Sequence, residues 1–153
     1  MKRISSILLS IAIILSTISF CATSINEETL ETLYFDDGSY VVTTIKAVYS
    51  VFTMKGSLTK TKQSKYYDPN DNLDWIASIT GSFTYNGVTS SCTDVSKSTT
   101  IYDTAWRCTA ASCSKSGATA TGNFTFKNYV LGVPIQTVNK TLTLTCSPNG
   151  TIT

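Results

Sequence analysis

The chain has 153 residues, with 12 Lys and Arg, 10 Asp and Glu, and no His. Without an imidazole there is no Ser-His-Asp or Cys-His catalysis, no HExxH zinc hydrolysis and no His-based proton transfer. Setting aside Lys2 and Arg3, which lie in an export signal, leaves 10 basic and 10 acidic groups, and that zero balance argues against a nucleic-acid binder.

Met1–Phe20 has a basic start, an apolar run at Ile7–Ile18 and then the small residues Ala22, Thr23 and Ser24, the pattern of a secretory signal. The run is shorter than the roughly 20 residues a spanning helix needs. Residues 1–24 are therefore expected to be a cleaved signal peptide, and 25–153 a single secreted domain with no transmembrane segment. Cys21 offers the alternative of a lipid anchor, although Phe20 stands where that processing wants a small residue.

Residues 25–38 read as a loosely ordered lead-in, or as a short helix capped by Asn26 and carrying Leu30 and Leu33. Asp36-Asp37-Gly38 is a turn signal. Ser39–Met54 is rich in β-branched and aromatic residues and reads as one bent strand or two short ones, ended by Gly56. Ser57–Tyr67 alternates Lys with Thr and Ser, as an edge strand guarded by charge would. The early acids (Glu27, Glu28, Glu31, Asp36, Asp37) and the following lysines (Lys46, Lys55, Lys60, Lys62, Lys65) are expected to face each other across a sheet.

Asp68–Asn72 is a hairpin loop. It resembles a calcium loop only superficially, because Leu73 replaces the turn glycine and Ile79 stands in the place of the bidentate Glu. In Trp75–Tyr85, Trp75, Ala77, Ile79, Gly81, Phe83 and Tyr85 alternate with polar residues, so one face of a long strand is apolar. Asn86-Gly87 suits a type I′ hairpin turn, and the chain returns through Val88–Val95. Lys97–Tyr102 reads as a further short strand, and Trp106–Ser114 as a strand bent near Ala110-Ala111. Ala118–Lys127 is a second two-period run, Tyr129–Pro134 a loop around Gly132, and Gln136–Cys146 the last long strand. About seven to nine strands with regular turns predict an all-β antiparallel sandwich, Ig-like in architecture, with a small β-barrel as the alternative.

Cys92, Cys108, Cys113 and Cys146 make an even count in an exported chain, which reads as two disulfides. Three pairings exist, and Cys92–Cys146 with Cys108–Cys113 is favoured. In a straight strand Cys108 and Cys113 would lie on opposite faces and out of bridging reach, so their pairing needs a turn or bulge at Thr109–Ser112. There is no CxxC pair, no metal set and no phosphate loop. The acids fall mostly in turns and the N-terminal lead, where Asp is expected for local hydrogen bonding. The chain is therefore expected to be non-catalytic and without a cofactor, with no catalytic or metal residue to name. Asn123, Asn139 and Asn149 match the glycosylation sequon, a frequent triplet in a Thr-rich chain. Trp106, Tyr66, Tyr67, Tyr102 and Tyr129 lie near loops or strand ends and are the candidate aromatics for stacking on a ligand; Trp75 is expected in the core.

Trp75 with T-G-S-F-T-Y-N-G (Thr80–Gly87), Cys92, Ile101-Tyr102-Asp103 with Trp106, Ser114-Lys115-Ser116-Gly117 with Ala120, and L-T-L-T-C-S-P-N-G (Leu142–Gly150) form a combination. It resembles a group of uncharacterised small secreted β-rich proteins of Gram-positive bacteria, particularly gut anaerobes. The resemblance runs from about Ser57 to the C-terminus. It implies secretion and a β-rich fold, and it supports pairing Cys92 with Cys146; it carries no functional residue. The expectation is an extracellular or cell-surface binding module for a glycan, the cell wall or a protein. The alternatives are a secreted antagonism factor, a toxin or its immunity partner, although no membrane-active stretch is evident past the signal, and a carboxylate-based hydrolase.

Overall fold

The computed structural model describes residues 26–47 and 55–153. The signal segment, Cys21 and the end of the Ser39–Met54 run lie outside the described residues. Eight strands are described: β1 (Asn26–Tyr34), β2 (Tyr40–Ala47), β3 (Gly56–Tyr67), β4 (Leu73–Tyr85), β5 (Ser90–Ile101), β6 (Trp106–Ser116), β7 (Thr119–Val130) and β8 (Val133–Thr145). They form a five-stranded antiparallel sheet in the order β1-β2-β3-β4-β5 and a three-stranded one in the order β6-β7-β8. The two sheets face each other as a sandwich and do not close into a barrel. Both are plain meanders, so the resemblance to immunoglobulin domains ends at the layering and does not extend to their Greek-key connections.

The two-period runs explain the core. β4 turns Trp75, Ala77, Ile79 and Phe83 inward, and β7 turns Ala120, Phe124 and Phe126 to meet them. Trp75 and Phe126 stack with ring centroids 3.8 Å apart and planes 6° from parallel. The small residues are as important as the rings. A Cβ on Gly122 would lie 2.1 Å from Ile79 Cγ2, and one on Gly81 would lie 3.2 Å from Ala120 Cβ. Glycine at these two points lets the sheets approach closely.

Five expectations are corrected. The residues from Asn26 are neither lead-in nor helix; they form edge strand β1, paired with β2 from Asn26↔Ala47 to Tyr34↔Tyr40. β3 is interior, hydrogen-bonded to β2 and β4. Its lysines are accommodated by partners: Lys65 meets Glu27 at 2.5 Å, and Lys62 Nζ donates to the Thr143 carbonyl at 3.0 Å. The two expected segments Val88–Val95 and Lys97–Tyr102 merge into one strand, β5, which runs only from Ser90 to Ile101 and bulges opposite Ser82 and Phe83. Asn86-Gly87 makes no type I′ turn, because Asn86 keeps a negative φ. The loop is instead four residues long, with Asn86 Oδ1 accepting from the Val88 and Thr89 amides at 3.0 and 2.8 Å. The two-residue turn with positive φ at both positions is Leu131–Gly132, so Tyr129, Val130, Val133 and Pro134 are strand residues and not a loop.

Candidate functional site

The Asp36–Gly38 turn folds β1 back on β2 and sets Tyr34 opposite Tyr40; the β2–β3 register sets Tyr40 opposite Tyr67. Strand alternation puts these three on the outer face, since Val41 and Tyr66 beside them point into the core. The result is a tyrosine ladder across three strands. Tyr34 and Tyr40 have centroids 5.5 Å apart, and Tyr40 and Tyr67 stack at 5.0 Å with planes 14° apart. Tyr34 is 71 % exposed. Tyr40 Oη donates to Asp71 Oδ1 at 3.0 Å, and partial desolvation followed by this carboxylate pushes the phenol's pKa up. Asp71 itself sits at φ 63°, which Asp tolerates. Asp68 organises the loop behind it, its Oδ2 accepting from the Asn72 side-chain amide at 2.9 Å and its Oδ1 from the Asn72 and Asn70 backbone amides at 2.8 Å each, and these bonds hold its pKa down.

Of the five aromatics expected to stack on a ligand, only Tyr67 joins this ladder. Trp106 and Tyr66 are each 2 % exposed and belong to the core. They lie at 4.8 Å from each other around Trp75. Tyr129 is half-buried under the Arg107 guanidinium, 4.9 Å from its ring centroid. Tyr102 is 56 % exposed at the end of β5, and no ring contact joins it to the ladder among the described residues. Tyr34 and Tyr40 stand outside the expected set, yet Y-F-D-D-G-S-Y places them at equal distances from the turn centre, as cross-strand partners must be.

Asp74 is the buried acid. Its Oδ2 accepts from Trp106 Nε1 at 2.9 Å, and burial pushes its pKa up. This bond ties β4 to β6 beneath the ladder end of the molecule. A shallow depression of about 110 Å³ lies at the β4–β5 turn, lined by Thr84, Tyr85, Asn86, Thr89, Ser90 and Ser91. It is well below the ~300 Å³ at which small-molecule pockets begin.

Among the described residues Cys92, Cys108, Cys113 and Cys146 are unbonded. The Cys92 amide donates to the Gly117 carbonyl and the Cys146 amide to the Ala118 carbonyl, so these two buried residues hold successive peptides of the β6–β7 turn. Burial raises both thiol pKa values, and each lies close enough to other charged or ionisable groups for Lys115 to act on Cys92 and Cys92 on Cys146. β6 does bulge between Cys108 and Ala110, which brings Cys108 and Cys113 onto the same face. They remain opposite Phe126 and Gly122, four residues apart and about 13 Å along the strand, which is beyond bridging reach. The sequon residues Asn123 and Asn139 accept from Thr141 and Thr125, each at 2.8 Å, in a cross-strand polar pair on β7 and β8.

No protein-family description matches the chain, and no curated protein does. Among solved structures, a hypothetical protein from Listeria monocytogenes EGD-e is similar at 17% identity and a TM-score of 0.42, with 83% of this chain and 95% of that one covered. No helix among the described residues is long and apolar enough to cross a membrane.

Proposed function

We propose that the protein is an exported, non-catalytic β-sandwich that binds a neutral extracellular or cell-wall glycan on the Tyr34–Tyr40–Tyr67 ladder. The observation that carries this reading is the ladder itself: three outward rings in cross-strand register, one more than two-thirds exposed. Tyrosine offers an apolar ring for a sugar face and a hydroxyl at its tip. Asp36, Asp37, Asp68 and Asp71 lie in the turns bordering it, where carboxylates accept from sugar hydroxyls and repel a polyanion. The N-terminal signal and the cysteine count support export. In an oxidising compartment we expect Cys92 and Cys146 to join, leaving Cys108 and Cys113 as thiols.

The test is co-sedimentation of the exported, oxidised protein with insoluble cell wall and a set of host and plant polysaccharides. Saturable binding that free sugar competes away, and that Tyr34→Ala and Tyr67→Ala each weaken at least tenfold, is expected. Protein that stays in the supernatant with every polymer overturns the glycan reading.

A further inference from the structure

The β7–β8 hairpin turns on Leu131 and Gly132, at φ 49° and 82°. Two such residues between the paired Val130 and Val133 make a type I′ turn, for which Asn-Gly is the least strained choice. Here a branched apolar side chain occupies the first position and is 99 % exposed. Val130, Val133 and Ile135 are also more than half exposed. Ile135 is the extra residue of the bulge that sets Tyr129 against Pro134 and Asn128 against Gln136. Residues 128–139 carry no charge. Gln136 Nε2 donates to Tyr66 Oη at 3.1 Å and the Tyr129 amide to the Ala105 carbonyl at 2.9 Å, so the body of the sandwich reaches the level of Tyr129. The turn stands about 7 Å beyond it, two residues further along the chain. Strained backbone that presents bare apolar side chains points to a surface that covers them.

We propose that this hairpin inserts into the headgroup region of a lipid bilayer, with the outer face of the three-stranded sheet tilted towards the lipid. The tip is too small for a second copy to be the occupant. A stable protein interface needs about 800 Å² from each partner, more than four side chains on a projecting turn supply. A bilayer accepts a small convex apolar wedge. At the base of the wedge, Tyr129 lies under the Arg107 guanidinium, an amphipathic pair of the kind found at headgroup depth. Lys127 stands opposite Arg107 in register. After Asp103 the chain has no acidic residue, so the three-stranded sheet brings no carboxylate of its own to anionic headgroups; those at its border are Asp37, whose Oδ2 accepts from Gln136 Nε2 at 3.4 Å, and Asp103 in the loop before β6. The acids at this end, Asp36, Asp37, Asp68 and Asp71, belong to turns of the five-stranded sheet, and Asp103 to the β5–β6 loop. They turn that sheet away from the lipid and so set the tilt.

The test is sedimentation with sucrose-loaded vesicles, either equal parts phosphatidylglycerol and phosphatidylcholine or phosphatidylcholine alone, using the full chain and its variants. An apolar N-terminal segment, if retained, is common to all of them and cancels in the comparison. The parent is expected to partition to the anionic vesicles more strongly than to the neutral ones. Leu131→Asn should reduce that partitioning about tenfold, while its thermal midpoint is unchanged or raised and glycan binding by the tyrosine ladder is unaltered. In Val133→Trp, tryptophan emission should shift to the blue when anionic vesicles are added, a direct report from the tip. The proposal is overturned by equal partitioning of the parent and Leu131→Asn, by no preference for anionic vesicles, or by an unshifted Val133→Trp spectrum. Self-association of the parent that Leu131→Asn abolishes, without vesicle binding, would overturn it in favour of a second copy.

Discussion

Gly122→Ala tests the packing argument most directly. The added Cβ would lie 2.1 Å from Ile79 Cγ2 and 3.1 Å from Phe124 Cε2. Ordinary carbon contacts begin at about 3.5 Å, so Ile79 and Gly122 must separate by roughly 1.5 Å. Neither strand can move alone, because β4 and β7 are each hydrogen-bonded on both sides within their own sheets. Overpacking of this kind costs about 2–3 kcal/mol. Gly122 is not in the left-handed region, so alanine recovers about 0.5–1 kcal/mol through the unfolded chain. The net loss is about 1–2.5 kcal/mol. At a urea slope of about 1.5 kcal/mol/M, the unfolding midpoint should fall by roughly 1 M. Ile79→Ala alone should cost about 2–5 kcal/mol. The double variant should lose at least about 1 kcal/mol less than the sum, because the new methyl fills the space that Cγ2 vacated. Urea unfolding followed by tryptophan fluorescence measures all three. An unchanged midpoint for Gly122→Ala, or strict additivity, would show that the sheets are not in contact where described.

Leu131→Asn should raise stability by about 1 kcal/mol by relieving a left-handed leucine, or roughly 3–5 °C in the thermal midpoint; a lower midpoint would contradict the strained turn. Asp74 has a raised pKa, so its charged form burdens the folded state above that pKa, and stability is regained as the pH falls towards its unfolded value. Asp74→Asn should therefore be more stable than the parent at pH 7, whereas Asp74→Ala, which strands the Trp106 N–H, should lose about 1–3 kcal/mol; equal melting curves at pH 7 and pH 4.5 for parent and Asp74→Asn would refute this. Glu27 runs the other way: the Lys65 and then the Thr44 hydrogen bonds hold its pKa below 4.5, so its contribution is present above pH 4.5 and lost as the pH falls through its folded pKa. Glu27→Gln should flatten that acid limb in a pH-dependent melt. Alkylation and mass mapping of the exported protein should find Cys108 and Cys113 reactive and Cys92 and Cys146 joined. Reduction should then cost about 2–4 kcal/mol, and four alkylated thiols would refute the bridge.

The two-layer β architecture was legible because β4, β7 and much of β8 alternate apolar and hydroxyl side chains so regularly. β1 was not, because N-E-E-T-L-E-T-L-Y carries three acids and has helical spacing at Leu30 and Leu33. Its strand conformation comes from pairing with β2, which no local pattern reports. The lysines of β3 suggested an edge for a similar reason. Their partners, Glu27 and the Thr143 carbonyl, come from elements distant in sequence. The ligand face is not legible in the sequence, because position near a loop does not decide side-chain direction. Trp106 follows a loop yet points to Asp74 in the core, whereas Tyr34 and Tyr40 lie on the outer face through the parity of a single turn.

The meander order has a consequence for how the molecule forms. Every hydrogen-bonded strand pair joins neighbours in sequence, so each sheet can zip from its own short hairpins with little loop-closure entropy to overcome. The one event of long sequence separation is docking of the two sheets. A chain emerging from its N-terminus completes β1–β5 before β6–β8 have appeared. Until they do, the face bearing Trp75, Ile79 and Phe83 is bare. The hazardous interval in the life of this protein is therefore the wait for its last fifty residues, and a chain truncated after β5 should aggregate instead of persisting as a half-molecule.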